Sequence, residues 1–336
     1  MLTSDKYERD TLNHRNPRSL FQKLFGTPYD FREEMGWLWR NVMGAKTFNS
    51  CGIRPLPQHR VLNQIQTRMT LCFIGDIMDM RRYRLMIGAD LKEFVRPCDF
   101  LIGNFEATIT HARKPGLAAQ RQDPAILDSL ADLFPPHRTA LSLANNHTGD
   151  FSADILHHSI SLMKQKGFHV FGWKRNVAID FKSQARIAAA SLWSNLPFAD
   201  MIPFQSLDQQ VLPAAFNVAY PHWGFELERF PRSSIVQEGM RLLNHYDAII
   251  GHHSHVPQPV MSHRVGDRVK LIAFSLGDFC TGLKSRNYRH GIVCKMEIGP
   301  GDDGHWKIGA VEWRYTEVTP VADKKMRVNL AVSSIG

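Results

Sequence analysis

The sequence predicts an α/β fold containing a mixed sheet or a second sheet, and three features of its patterning carry that expectation. Short apolar runs that stop at polar clusters begin at Thr70: Leu71-Cys-Phe-Ile-Gly-Asp, Phe100-Leu-Ile-Gly-Asn-Phe-Glu, Ala140-Leu-Ser-Leu-Ala-Asn-Asn-His, Phe216-Asn-Val-Ala-Tyr-Pro-His, Ala248-Ile-Ile-Gly-His-His-Ser-His and Val269-Lys-Leu-Ile-Ala-Phe-Ser-Leu-Gly-Asp. Runs of this length, bounded by Gly and Asn, fit buried strands better than helices. Helical patterns alternate with them, which argues for an α/β domain. Residues 291–298 and 306–318 then read as sheet strands, the second with apolar and polar residues interleaved.

The helices are justified by periodicity and caps. Residues 153–166 place Ile155, Leu156, Ile160, Leu162 and Met163 mostly on one side, and Gly167 is the stop. Residues 234–246 repeat the pattern with Ile235, Val236, Met240, Leu243 and Tyr246, opened by a Ser-Ser cap region. Residues 1–68 differ, being rich in Arg, Asn and Pro. They read as a partly helical N-terminal extension to a domain spanning 69–336. Two aromatic patches, residues 20–25 and 35–43, stand out there, and Trp37, Leu38 and Val42 have helical spacing, as in a docking helix or one covering the domain edge. Arg54-Pro-Leu-Pro-Gln reads as a linker.

With 43% hydrophobic and 22% charged residues, the chain holds enough apolar material for a sizeable core and is not a disordered protein. Lys and Arg number 41 against 32 Asp and Glu, a formal net charge of +9. That excess suits anionic surfaces or acidic polymers, but it is scattered, with no block of five basic residues, which argues against nucleic acid. The five cysteines are odd in number and lack any CxxC spacing, so all are read as reduced. With no signal-peptide pattern and no run of about 18 apolar residues, a cytoplasmic location is expected, with any envelope role requiring recruitment.

The chemistry is concentrated where the apolar runs end: Asp76, Glu106, Asn146, His222, and His252, His253 and His255. In α/β folds ligands gather at the carboxyl ends of strands, so these side chains are expected to converge on one rim. Each has a bland use. Gly75-Asp76 alone is a common turn, Asn146-His147 could cap the following helix, and His222 could be a core histidine. His253-Ser-His255 is stronger, since alternate residues of an extended segment share a face. Together the residues supply the carboxylate oxygen, amide oxygen and imidazole nitrogen that divalent metals bind.

The order Gly-Asp, Asn-x-Glu, Asn-His, His-Trp-Gly, Gly-His-His-x-His resembles the poly-γ-glutamate capsule-biosynthesis (CapA-type) family, itself related to the calcineurin-like metallophosphoesterases. The matching segments are Ile74-Gly-Asp-Ile-Met, Ile102-Gly-Asn-Phe-Glu, Leu141-Ser-Leu-Ala-Asn-Asn-His, His222-Trp-Gly-Phe-Glu, Ile250-Gly-His-His-Ser-His and Phe274-Ser-Leu-Gly-Asp-Phe. The resemblance implies a metallophosphoesterase-like four-layer α/β/β/α sandwich with mixed sheets and one or two divalent ions, Mn, Fe or Zn. It makes Asp76, Glu106, Asn146, His222, His253 and His255 metal ligands, with His147 as proton donor beside Asn146. Asn104, Glu226, His252, Asp278 and Arg81 become supporting or substrate-binding residues, His252 competing with His253 for the ligand role.

Two departures from the family pattern bear on activity. Met78 stands where the wider phosphoesterase class has the His of Asp-x-His, and Asp278 stands where the family usually has Asn. The expected function is a metal-dependent hydrolase or transferase acting on a phosphoester or on an acidic capsule or envelope polymer. The alternative is a degenerate binding module for such a polymer or a protein partner, associated peripherally with an envelope complex.

Overall fold

The computed structural model describes residues 27–331 apart from Leu117, Pro197, Ala214 and Ala322. The aromatic patch at 20–25 lies outside these described residues. In chain order the strands are β1 (His59–Val61), β2 (Met69–Ile77), β3 (Arg84–Ile87), β4 (Phe100–Phe105), β5 (Thr108–Ile109), β6 (Arg121–Gln122), β7 (Thr139–Ser142), β8 (His169–Phe171) and β9 (Ala178–Phe181). They continue as β10 (Ala185–Ser191), β11 (Phe216–His222), β12 (Ala248–Ile250), β13 (Val260–Val265), β14 (Arg268–Ala273), β15 (Asp278–Cys280), β16 (His290–Pro300), β17 (Trp306–Val321) and β18 (Lys325–Leu330). The helices are α1 (Phe31–Met43), α2 (Ala89–Val95), α3 (Ile126–Leu133), α4 (Ala153–Gln165) and α5 (Ser233–Leu242).

The first sheet runs β3-β18-β17-β16-β2-β4-β7-β8, and the second runs β13-β14-β12-β11-β10-β9. Both are mixed. β2, β4, β7 and β8 are mutually parallel, while β2 pairs antiparallel with β16. In the second sheet β10, β11, β12 and β14 are parallel, with antiparallel β9 and β13 at the edges.

Side-chain alternation builds the layers. Leu71 and Phe73 of β2, Ile102 of β4 and Met296 of β16 pack against Ile187 of β10, Val218 of β11, Ile250 of β12 and Leu271 of β14, joining the sheets face to face. Their sequence neighbours Cys72, Ile74 and Leu101 point the other way, onto Leu91 of α2, Leu130 of α3 and Leu156 and Ile160 of α4. On the far side Ala188, Ala219, Ile249 and Ile272 meet Ile235 and Leu242 of α5. The result is the four-layer α/β/β/α sandwich expected from the sequence. Strands covered on both faces must be apolar at almost every position, which is why they read as continuous runs. Each such Leu or Ile contributes roughly 1.5–3 kcal/mol by leaving water.

Because the parallel strands of each sheet end on the same side, β2, β4 and β7 deliver Asp76, Glu106 and Asn146 to one rim. From the facing sheet, β11 and β12 deliver His222 and His253–His255. The site sits on the seam between the two sheets.

Helix α1 opens with Asp30, whose Oδ1 accepts from the Glu33 backbone N–H at 2.9 Å, and ends at Gly44 with φ +99°. The helical spacing of Trp37, Leu38 and Val42 is realised, but of the three only Trp37 turns inward. Glu33 and Arg40 are buried, Trp37 is half-buried, and Leu38 and Val42 face outward with Phe31, Met35, Trp39 and Met43. The reason is a buried charge cluster. Arg40 pairs with Glu33 at 2.7 Å, and Arg232 holds both Glu33 and Glu228 at 2.9 Å, so α1 docks by ion pairs. All five cysteines are free, and Cys51 alone is exposed.

Candidate metal centre

Backbone devices aim the donor groups. The β2–β4 register shifts between Ile74 and Asp76, a bulge that turns the Asp76 carboxylate toward the rim. A Cβ at Gly75 would overlap the carbonyl oxygen of Gly277, so only glycine permits this approach of β2 to the turn before β15. After β12 the chain enters left-handed conformations at His253 (φ +89°) and His255 (φ +55°). Non-glycine residues hold such angles at a cost of order 1–3 kcal/mol each, and such strain clusters at functional sites. Asp76 Oδ2 secures the first by accepting the His253 backbone N–H at 3.1 Å.

The donor atoms converge. His222 Nε2 lies 2.8 Å from Asn146 Oδ1, 3.0 Å from His253 Nδ1 and 3.7 Å from Glu106 Oε1. His255 Nε2 lies 3.6 Å from the same Glu106 oxygen, and its Nδ1 lies 3.7 Å from Asp76 Oδ2 and 2.9 Å from Asp278 Oδ1. Three donor triads result, each spanning no more than 4.8 Å: Asp76, Glu106 and His222; Glu106, His253 and His255; and Asp76, His255 and Asp278. Asp76, Glu106 and His255 each belong to two of them.

Around this core, Asn104 Nδ2 donates to Asp76 Oδ1 at 2.7 Å and lies 3.2 Å from His222 Nδ1, fixing both groups. His147 Nδ1 lies 2.7 Å from Asp150 Oδ2, which also accepts the Gln120 backbone N–H at 2.8 Å. This contact, with Asn195 Nδ2 3.1 Å from the same nitrogen, orients the ring and leaves Nε2 toward Glu106, 3.7 Å away.

The electrostatics follow from burial. Among the described residues, both carboxylate oxygens of Glu106 and Oδ2 of Asp278 are buried without a hydrogen-bond partner. Burial drives the Glu106 carboxyl well above its usual range, against the pull of His255. It pushes Asp278 up to about 7, again opposed by His255. Burial also acts most strongly on Asp76, but His252, His222 and His255 outweigh it and hold that carboxyl below the usual range. Burial keeps His222 and His253 neutral by pushing both well down. At His255 burial is outweighed by Glu106 and Asp278, so its imidazole is pushed well up. Three dry carboxylates beside two neutral imidazoles, with orphaned oxygens between them, fit a divalent cation.

His253, not His252, joins the donor triads. The His252 ring lies against Tyr220, with centroids 4.3 Å apart. Its Nδ1 is 3.0 Å from Asp76 Oδ1 yet out of line for a hydrogen bond. Asp278, expected beside the site, lies within it. Arg81 is exposed on the turn after β2, with a left-handed φ of 54°, and lines a separate surface cavity with Tyr83 and Asp123. The Glu226 carboxylate accepts from Trp37 Nε1 at 2.6 Å and so anchors α1, while its charge also acts on Glu106, His255 and Asp278.

Sequence reasoning missed Asp150, Asn195 and Tyr29. Asp150, three residues past His147, could have been found by asking what orients that ring. Asn195 Oδ1 accepts from Asn146 Nδ2 at 3.0 Å, but it follows β10, a strand the apolar runs did not reveal.

Residues 58–189 and 205–282 match the family described as bacterial capsule synthesis protein PGA_cap, more than half of the chain. The chain belongs to that family. It is 22% identical over 293 residues to the PGA biosynthesis protein CapA of Bacillus subtilis (strain 168), covering 76% of this chain and 74% of that one. It is 23% identical over 255 residues to the capsule biosynthesis protein CapA of Bacillus anthracis, covering 63% of this chain and 59% of that one. Among solved structures, the calcineurin-like phosphoesterase YfkN of Bacillus subtilis overlays with a TM-score of 0.35 at 12% identity, over 74% of this chain and 91% of that one. Among the described residues no helix is long and apolar enough to cross a membrane.

Proposed function

We propose that this chain is a metal-dependent hydrolase or transferase acting on a phosphoester or on an amide of an acidic capsule-type polymer. The carrying observation is Glu106, a buried carboxylate with no hydrogen-bond partner among the described residues and with His147, His222 and His255 nitrogens 3.6–3.7 Å from one oxygen. Asp76, Glu106, Asn146, His222, His253 and His255 would hold the ion or ions, with Asp278 as a further carboxylate where the class motif has lost its histidine to Met78. A divalent ion bound there would supply Lewis acidity and lower the pKa of a water.

The chain's own residues divide the remaining work. His147, protonated on Nε2, would give that proton to the departing oxygen or nitrogen, while Asp150 holds the ring in place. Asn104 keeps Asp76 and His222 in register, and Asn195 turns the Asn146 oxygen toward His222. The scattered basic charge favours an acidic substrate over a neutral one.

Elemental analysis tests the reading. Purified protein should hold one to two equivalents of Mn, Fe or Zn. The Asp76→Ala variant and the Asn146→Ala/His255→Ala double variant should lose most of it while remaining folded. Wild-type protein should then hydrolyse phosphoesters or γ-glutamyl amides in a chelator-sensitive way. Metal retained in both variants would refute the assigned site.

A second reading has its own observation. Met78 is buried where the class uses a histidine, and every donor residue lies beneath the surface. A binding module for an acidic polymer would load metal and bind the polymer without turnover.

A further inference from the structure

The family match begins at residue 58, yet the donor cluster is roofed by a residue that precedes it. Tyr29 is 3% exposed, and its hydroxyl lies 2.7 Å from His253 Nε2. The opposite ring nitrogen, Nδ1, lies 3.0 Å from His222 Nε2, and His253 forms a donor triad with Glu106 and His255. The same hydroxyl accepts the Glu226 backbone N–H at 3.3 Å. A ring held between two neighbours in this way has one tautomer that serves a cation: Nε2–H donating to Tyr29 and the Nδ1 lone pair facing inward.

Tyr29 is itself fixed from several sides. Its ring meets Trp193 edge-on with centroids 5.1 Å apart and stacks near Phe225 at 6.4 Å. Helix α1, which follows directly, is fastened by Trp37 to the Glu226 carboxylate and by Arg40 Nε to the Glu226 backbone oxygen at 2.7 Å. The hydroxyl is therefore placed by a rigid roof and not by chance contact of a loose strand.

We propose that Tyr29 is a positioning residue for the metal centre, its hydroxyl holding His253 through Nε2 so that Nδ1 is presented to the cation. The site is thus completed by the segment ahead of the family core. The proposal rests on the metal reading above and extends it to a residue outside the shared motif.

Co2+ binding to the full chain tests it. After chelation, wild type and Tyr29→Phe are titrated with Co2+, following the visible absorption band, and their metal-free melting temperatures are recorded. Tyr29→Phe keeps the aromatic packing and removes the hydroxyl alone. The expected result is Co2+ affinity weakened roughly tenfold or more in Tyr29→Phe, with a shifted band, while its metal-free melting temperature stays near that of wild type. Wild-type affinity and band in Tyr29→Phe would overturn the proposal alone. Absence of Co2+ binding by wild type would overturn the metal reading and the proposal with it. If Tyr29→Phe did not fold, Tyr29→His, which restores a ring nitrogen near His253, should bind Co2+ more tightly than Tyr29→Leu, and equal affinities would overturn the proposal.

Discussion

Asp278 and His147 carry the arguments that belong to single residues. Asp278 is fully buried and its carboxyl is pushed up to about 7 by burial, against an ordinary value of 3.8. The folded, metal-free protein therefore binds a proton there that the unfolded chain has released, so its contribution to stability is full below about pH 4 and is lost as pH rises toward 7. Asp278→Asn removes that loss. The metal-free variant should melt close to wild type near pH 4 and progressively above it toward pH 7, as read by thermal denaturation across that range. A gap that stays constant with pH would refute the account. At His147, Asp150→Asn removes the carboxylate that holds the ring through Nδ1. Turnover should fall about 100-fold or more with metal content unchanged, because Asp150 touches the ring and not the donor triads. Loss of metal in that variant would move Asp150 into the metal-holding set.

Elements decide where those residues stand, and the β2 bulge is the sharpest case. Gly75→Ala forces a Cβ into the Gly277 carbonyl. The cost should be about 1–3 kcal/mol in chemical denaturation, together with weakened metal binding as Asp76 is displaced. Gly116, whose Cβ would meet open space, should accept Ala with little change. The strands delivering Asp76, Glu106, Asn146, His222 and His253 were legible in the sequence because burial on both faces leaves continuous apolar runs that must end in something polar. β10 was not legible. It reads Ala185-Arg-Ile-Ala-Ala-Ala-Ser, and alanine favours helix, so its extended state comes from pairing with β11. The inward face of α1 was not legible for a related reason: periodicity reports where apolar residues lie, and this helix docks by buried ion pairs. Tyr29 lay beyond reach altogether, since its partner is 224 residues away. Arg81 stood out through its sequence proximity to Asp76, and in the fold it is exposed on the turn after β2.

At the scale of the molecule, the position of the site on the seam has a thermodynamic consequence. Asp76, Glu106 and Asn146 come from one sheet and His222, His253 and His255 from the other, so a cation held by both sets would tie the two halves of the sandwich together. The sheets already share one inter-sheet core, and separating them exposes Leu71, Phe73, Val218 and Leu271 at once. Opening the site is therefore coupled to losing that core. Ligand that binds only the folded state stabilises by RT ln(1 + [L]/Kd), about 2.7 kcal/mol at a hundredfold excess over Kd. For a domain of this size that corresponds to roughly 5 °C in melting temperature. Removing metal with a chelator should lower the midpoint by about that amount while the transition stays single, and Glu106→Gln should abolish the difference between loaded and stripped protein. Two resolved transitions in the stripped protein, one for each sheet, would show that the inter-sheet core alone does not hold the sandwich together as a unit. The ion would then be the principal bond between its halves rather than an addition to a core already continuous.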